Sequence, residues 1–388
     1  MLKSIGKHNK FTRLCLIKEL DFSDIIGQRL AKHLIRQAVV DYVSNIQETK
    51  FLSTRQPLSM IFAGPSGNGK TEMARWLSYL LNKPSADDDG YFHKVDCGKL
   101  SDAAEIFGKS GYWQGAEQGS SLNNFVHRMS IEDNRDSIGV VLLDEIENAD
   151  RDVIHALYQV LDKGEWTNKK LSHDAQSETI PCHNIIFIMT TNACDQVTNN
   201  YVSRDKDKEV YLASSVSLGD VGEELEEKLL NSLQQSHPFT NAFIGRIDRV
   251  VPFLPMAKDN TGSHHTLLGE MMTIAKILIE REQEKFDNST AVNVTQEVDP
   301  ETKHDIATIV VKKALPESGV RSIQKLVQKK MSVKLMHSVL LKKGGIQKGS
   351  TVQYQANEDE RTIDFRTKKS GTTDTVDEDE GDYEDVYA

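Results

Sequence analysis

Short, uninterrupted apolar runs alternating with amphipathic stretches mark roughly the first two thirds of this chain. Leu58-Ser59-Met60-Ile61-Phe62-Ala63, Ile138-Gly139-Val140-Val141-Leu142-Leu143 and Ile185-Ile186-Phe187-Ile188-Met189 carry too few polar positions to expose a face, so they predict strands buried on both sides. Tyr91 to Val95 and Val250 to Phe253 predict two further strands. Between them, apolar residues recur at helical spacing. Leu30, Leu34, Ala38 and Tyr42 share one face after Gly27-Gln28, a helix is expected from Thr71 onward, and another over Arg151 to Leu161. Strands alternating with helices predict a parallel α/β sheet with helices on both faces. Beyond about Pro255 the pattern changes to long helical stretches, Leu267 to Phe286 and Ser322 to Leu341, followed by Thr351 to Tyr354 and Thr362 to Phe365 as a terminal hairpin. The polar segments Asn199 to Asp220 and Asn168 to Thr179 are expected to be loops.

At 388 residues and 38% hydrophobic, the chain can bury a sizeable core and has room for one large and one smaller domain. No apolar run is long enough for a bilayer, which predicts a soluble protein without a membrane partner. The formal charge of −11 is concentrated at one end: Gly371 to Ala388 hold eight acids and no Lys or Arg, leaving −3 for the rest. That balance lacks the basic footprint of a nucleic-acid binder, and the acidic tail is expected to stay disordered. Cys15, Cys97, Cys182 and Cys194 have neither C-x-x-C spacing nor a His at ligand spacing, so they read as reduced thiols in a reducing compartment. Lys3, Lys7, Lys10, Arg13 and Lys18 precede the first acid, Glu19, and read as a solvated basic leader of a cytoplasmic protein, with weak organelle targeting as the alternative.

Gly64-Pro65-Ser66-Gly67-Asn68-Gly69-Lys70-Thr71 is a complete G-x-x-x-x-G-K-[ST] motif between a predicted strand and a predicted helix. Its glycines allow backbone N–H groups to turn onto phosphates, and the helix start adds the positive end of its dipole. Lys70 can reach β- and γ-phosphates, and Thr71 can offer a hydroxyl to Mg²⁺. An acidic pair, Asp144-Glu145, ends the strand that runs through Val140 to Leu143. Downstream of a phosphate loop it reads as a carboxylate for Mg²⁺ (Asp144) and one that polarises the attacking water (Glu145). Standing alone, such a pair would more simply stabilise a helix start.

Ile25-Ile26-Gly27-Gln28, the phosphate loop, Leu143-Asp144-Glu145-Ile146-Glu147, Met189-Thr190-Thr191-Asn192, Phe243-Ile244-Gly245-Arg246-Ile247-Asp248 and Gly319-Val320-Arg321 occur in the order found in AAA+ ATPases. The chain resembles most closely the second ATPase module of Clp-type unfoldases and disaggregases, from about Phe22 to Phe365. Ile106 to Trp113, followed by Gln118-Gly119, resembles their substrate-gripping pore loop, and Val153 to Thr167 resembles the segment after the acidic pair. The resemblance implies an AAA+ fold: a P-loop parallel sheet sandwiched by helices, then a smaller, mostly helical C-terminal domain with a terminal β-hairpin. The corresponding boundaries are a basic leader over 1–20, a large ATPase domain over 21–254, a small domain over 255–367 and an acidic tail over 368–388.

By the same resemblance, ATP and Mg²⁺ are the expected ligands. Ile25 and Ile26 flank the adenine, Asn192 senses the γ-phosphate or attacking water, and Arg321 is a second sensor. Arg246 is the finger that reaches a neighbouring subunit, and Tyr112 and Trp113 face the channel of a homo-oligomeric ring, a hexamer, that acts on unfolded or aggregated proteins. The chain departs from the family pattern in Gly111-Tyr112-Trp113-Gln114-Gly115, one residue longer than usual, in Gly245 before Arg246, and in a longer Asn168 to His183 hairpin. No Ile-Gly-Phe or Ile-Gly-Leu loop follows Asn192 to dock a protease ring. Two other readings stay open: a regulator whose ATP cycle changes its partners without threading, and a nucleic-acid motor or clamp loader.

Overall fold

In the computed structural model the five apolar runs pair edge to edge as one parallel sheet. The structure describes residues 20–48, 56–82, 90–100, 106, 120–132, 137–168, 178–204, 218–255, 265–287, 294–315, 319–340, 350–357 and 362–368. The sheet strands are β1 (Leu58–Ala63), β2 (Phe92–Asp96), β3 (Gly139–Asp144), β6 (Ile185–Thr191) and β7 (Arg249–Pro252), and an antiparallel pair, β4 (Glu165–Asn168) and β5 (Glu178–Pro181), stands apart from it. Every residue of β1 and of β6 is buried, which requires cover on both faces of the sheet and accounts for the uninterrupted apolar runs.

The order across the sheet is β2-β3-β6-β1-β7. β6 therefore separates the strand that feeds the phosphate loop from the strand that ends in the acidic pair. Because all five strands run parallel, their carboxyl ends lie along one edge.

The flanking helices are α1 (Arg29–Glu48), α2 (Lys70–Asn82), α3 (Ser121–His127), α4 (Arg151–Lys163), α5 (Asp195–Arg204) and α6 (Leu218–Gln234). Local chemistry fixes several of their ends. The Asp150 side chain accepts from the Asp152 N–H at the start of α4, and Gly164, at φ +66°, closes that helix with its N–H on the Val160 carbonyl. Ser120 caps α3 in the same way through the Asn123 N–H. Trp166 on β4 is fully buried, stacks parallel to Phe187 of β6, and donates its indole N–H to the buried Asn123 side chain.

Two units divide the described residues. One takes the residues up to Thr273 together with Ala314–Ser322. The other takes Ile274–Lys313 and the residues from Ile323 on, so the division falls inside the helices His265–Asp287 and Gly319–Gln328. The second unit holds β8 (Thr295–Glu297), β9 (Thr351–Asn357) and β10 (Thr362–Lys368) beside its helices. β9 and β10 form the expected antiparallel hairpin, and Val294, Leu335 and Val352 bury against Phe365.

Several local expectations change. β8 pairs in parallel with β9, so the hairpin belongs to a three-stranded sheet; three residues are too few to show an alternating pattern. The polar stretch expected as a loop from Asn199 is helical to Arg204 and again from Leu218, because Tyr201 and Val221 find apolar partners in the fold. The helix expected over Ser322 to Leu341 is interrupted by a π-helical turn, Lys329–Val333. Strands reach Asn168 on one side and Glu178 on the other of the second polar stretch. The basic leader up to Glu19, Cys15, the Tyr112 and Trp113 loop and the acidic tail lie outside the described residues. No helix among those described is long and apolar enough to cross a membrane.

Truncating Trp166 removes the largest fully buried side chain among the described residues, together with the indole N–H that it donates to Asn123. Trp166→Ala is expected to cost about 3–5 kcal/mol of stability, read as a lower denaturant midpoint at unchanged slope.

Candidate functional site

The loop from Gly64 to Gly69 joins the carboxyl end of β1 to the start of α2, and three of its glycines occupy backbone conformations that side-chain-bearing residues avoid. Gly64, Gly67 and Gly69 have φ of +146°, +80° and +87°. At Gly64 the constraint is also steric: a Cβ would lie 2.1 Å from the Phe253 carbonyl oxygen. Phe253, just past β7, donates its N–H to the Ala63 carbonyl at 2.7 Å, while Gly64 donates to the Thr191 carbonyl at 3.2 Å, so both neighbouring strands grip the base of the loop. A Cβ on Gly69, by contrast, would meet nothing within 4 Å, so the space beside this end of the loop is open.

Lys70 is the charge at the centre of this loop. It is 8% exposed, and its Nζ donates to the Gly64 carbonyl, to the Pro65 carbonyl at 3.0 Å and to Asn192 Oδ1 at 2.8 Å. Burial lowers its pKa from 10.5 to about 8, against the pull of the Asp195, Glu147 and Asp144 carboxylates, while the Arg321 guanidinium pushes in the same direction as burial. Thr71 follows at the helix start, half-buried.

The acidic pair ends β3. Asp144 accepts from the Thr190 hydroxyl through Oδ1 and from Lys94 of β2 through Oδ2 at 2.5 Å, so both its oxygens are held. Glu145 sits in the left-handed region, at φ +57° and ψ +52°, an uncommon conformation for a residue with a side chain. Its N–H donates to Thr190 Oγ1 at 3.0 Å and its carboxylate accepts from Asn148 Nδ2 at 3.2 Å. One threonine hydroxyl on β6 therefore bridges both members of the pair. Glu147, two residues on, accepts the Asn192 N–H at 2.9 Å through Oε1, and its Oε2 is buried without a hydrogen-bond partner. Burial raises the pKa of Asp195.

The structure brings Lys70, Asp144, Glu145 and Asn192 together at the carboxyl edge and adds residues to which the sequence reading gave no role: Lys94, Thr190, Glu147 and Asp195. Glu147 and Thr190 lie within sequence motifs, Lys94 and Asp195 outside them, and no periodicity or spacing distinguishes any of the four. The segment that holds Ile25 and Ile26 is joined to the surroundings of the loop through Gln28. The Gln28 side chain donates to the Leu254 carbonyl at 2.8 Å and accepts the Leu254 N–H at 3.1 Å, next to the Phe253 that seats Gly64. Ile25 packs against the core, and Ile26 is half-buried. Arg321 is exposed beside the loop: Val320 donates to the Gly67 carbonyl at 2.9 Å, and a Cβ on Gly319 would lie 2.8 Å from that same oxygen.

Arg246 stands elsewhere. Its carbonyl accepts from Ser59 Oγ at 3.0 Å near the amino end of β1, and its guanidinium pairs with Asp162 at 2.7 Å. A cavity of about 390 Å³ opens near this second location, lined in part by His155, Tyr158, His237 and Thr240. Cys97, Cys182 and Cys194 are buried and unbridged. Burial pushes the Cys97 thiol up to about 12 and Cys194 to about 11, and raises Cys182 as well, so these thiols stay protonated near neutrality.

The donor set fits a polyphosphate with Mg²⁺. Space is open where Gly69 lacks a side chain, the Lys70 ammonium lies against the loop carbonyls, and Thr71 with Asp144 would supply the hydroxyl and single carboxylate that Mg²⁺ uses beside phosphate oxygens and water. Among the described residues no cluster of three or more His, Cys, Asp or Glu forms a protein-only metal cage.

Comparisons with known proteins identify the family. A family model described as "AAA domain (Cdc48 subfamily)" matches residues 55–250. The chain is similar to the chaperone protein ClpB of Staphylococcus epidermidis, 24% identical over 361 residues that cover 92% of this chain and 35% of that protein. It is 24% identical to the ClpB of Staphylococcus aureus over the same shares, and 29% identical to that of Chlamydia muridarum over 364 residues, again 92% and 35%. The chain thus spans about a third of the length of these relatives.

Lys70 gives the site a signature in stability. Its pKa is lower in the folded than in the unfolded state, so between about 8 and 10.5 the unfolded chain holds a proton that the folded one lacks, and stability from this group rises with pH across that window. Below about 8 both states are protonated and the group contributes no slope. The stability difference between wild type and Lys70→Met, measured by urea unfolding from pH 7 to 10.5, is expected to move in favour of wild type above pH 8. Parallel curves would place the ammonium in water.

Proposed function

The chain belongs to the AAA family of ATPases, and from that premise we propose that it binds and hydrolyses ATP with Mg²⁺, in a homo-oligomeric ring that remodels protein substrates in the manner of Clp-type chaperones. The observation that carries the catalytic part is the convergence of Lys70, Asn192, Asp144 and Glu145 across β1, β6 and β3, with Lys70 Nζ 2.8 Å from Asn192 Oδ1.

In this reading the backbone of Gly64, Pro65, Ser66, Gly67, Asn68 and Gly69 cradles the phosphates, and Lys70 exchanges its carbonyl partners for β- and γ-phosphate oxygens. Thr71 and Asp144 would hold Mg²⁺, which would neutralise charge on the phosphoryl oxygens. Glu145 polarises the attacking water, and Asn192, already within reach of Lys70, orients that water or the γ-phosphate. Thr190 and Lys94 keep Asp144 aimed, and Glu147 holds the backbone of Asn192. Ile25 and Ile26 border the adenine, and Arg321, whose charge acts on Lys70, senses the γ-phosphate.

Ring assembly is supported by the position of Arg246. Its backbone is fixed to Ser59, whereas the phosphate loop leaves β1 after Ala63. Four residues of strand separate them by about 13 Å, which favours a neighbouring subunit's γ-phosphate as its target. A hexamer is the form we propose, with residues 21–254 as the ATPase domain, 255–367 as the small domain and the cytoplasm as its compartment. The substrate class, unfolded or aggregated protein, rests on the similarity to ClpB and on the Tyr112 and Trp113 loop. A nucleic-acid substrate is disfavoured because the chain outside its acidic tail is near neutral, at −3, and lacks a basic footprint.

Glu145→Gln is expected to keep ATP affinity and lower turnover about 10²–10⁴-fold, whereas Lys70→Ala abolishes binding; nucleotide titration and phosphate release separate the two. Near wild-type turnover in Glu145→Gln would remove it from the mechanism. Mixing Arg246→Ala subunits with Lys70→Ala subunits is expected to recover turnover that neither has alone. Tyr112→Ala is expected to spare basal ATPase and abolish ATP-dependent unfolding of a tagged protein.

A further inference from the structure

α4 begins just beyond the acidic pair, after the 3-10 turn Ile146–Asn148, and its last two turns carry Tyr158 and Asp162. Four residues apart on a helix, these side chains share one face. Arg246 lies on that face. Its guanidinium carbon sits 4.7 Å from the Tyr158 ring centroid, one terminal nitrogen donates to Asp162 Oδ2 at 2.7 Å, and the other donates to the Ala242 carbonyl. Its Nε is buried without a hydrogen-bond partner.

The platform is itself fixed. The Tyr158 hydroxyl and Thr240 Oγ1 are 2.7 Å apart, and the Tyr158 ring stacks on Phe243. Thr240 in turn caps the one-turn helix Asn241–Ile244 that supplies the Ala242 carbonyl. An ordinary surface ion pair needs none of this. Here an aromatic face, a carboxylate and a carbonyl restrain one planar cation from three directions, and the side chain is 27% exposed.

We propose that Tyr158 and Asp162 are positioning residues, which hold the Arg246 guanidinium in the orientation that meets a neighbouring subunit's γ-phosphate and, through α4, tie it to the Asp144–Glu145 pair of their own subunit. The inference rests on the reading of Arg246 as acting in trans. A cation aimed before the reaction needs no reorientation as charge builds on the phosphoryl group, so its effect appears in kcat.

The test uses the two-subunit mixture. Arg246→Ala subunits provide the only competent nucleotide sites, and Lys70→Ala subunits provide the only arginine. Asp162→Asn or Tyr158→Leu is placed on the Lys70→Ala subunits alone, where the subunit's own site is already silent. The recovered turnover is expected to fall about tenfold or more, with KM for ATP unchanged and assembly size unchanged by light scattering. Tyr158→Phe, which keeps the ring, is expected to retain it. Recovered turnover that is indifferent to both Asp162→Asn, a near-isosteric change at a partly exposed position, and Tyr158→Leu would overturn the inference. Failure of the parent mixture to recover any turnover would instead overturn the trans reading, and this inference with it.

Discussion

A buried ammonium, that of Lys70, sets the terms for the rest of this structure. Taking such a charge out of water is costly unless it is paired and hydrogen-bonded, and here two loop carbonyls and one side-chain amide surround it, with three carboxylates acting on it through space. Each partner brings its own requirement. The Gly64 carbonyl is available only because the loop folds through positive-φ glycines, and Gly64 fits only because it has no Cβ to meet Phe253. The Asn192 amide is available only where β6 ends beside β1, and its backbone is fixed in turn by Glu147.

From that centre the functional groups spread along a single edge of the sheet. β6 acts as the spacer. Its Thr190 joins Asp144 to the Glu145 backbone on one side, and Asn192 joins Lys70 on the other, so elements from three strands form one hydrogen-bonded network. The left-handed backbone of Glu145 belongs to the same network: it is held by the Thr190 hydroxyl and by the Asn148 N–H on the Glu145 carbonyl. Arg246, at the opposite end of β1, is held by a separate network built on α4. α4 begins just beyond the acidic pair, after the 3-10 turn Ile146–Asn148, so one helix adjoins both networks.

The most legible parts of the protein were those whose requirement is local. The phosphate loop needs glycine at particular backbone angles, and a strand buried on both faces needs an uninterrupted apolar run, so both can be read within about ten residues. The acidic pair was readable for the same reason, as the end of such a run. The helical ends of the polar stretch around Asn199 to Asp220 were not, because Tyr201 and Val221 are apolar residues in otherwise polar surroundings whose partners lie far away in sequence. β8 was missed because three residues carry no period.

By itself, then, the sequence determined the five strands of the parallel sheet and several of the helices, where a phosphate can be cradled and where a pair of carboxylates ends a strand. Tertiary structure alone decided the order β2-β3-β6-β1-β7, and with it the roles of Lys94, Thr190 and Glu147 and the separation of Arg246 from its own phosphate loop. The reason is physical. Lys70 and Asn192 are 122 residues apart in the chain, and which strand lies beside which is a collective outcome of packing two covered faces at once. No short stretch of residues carries that information, whereas the backbone angles of a glycine loop are carried by the loop itself.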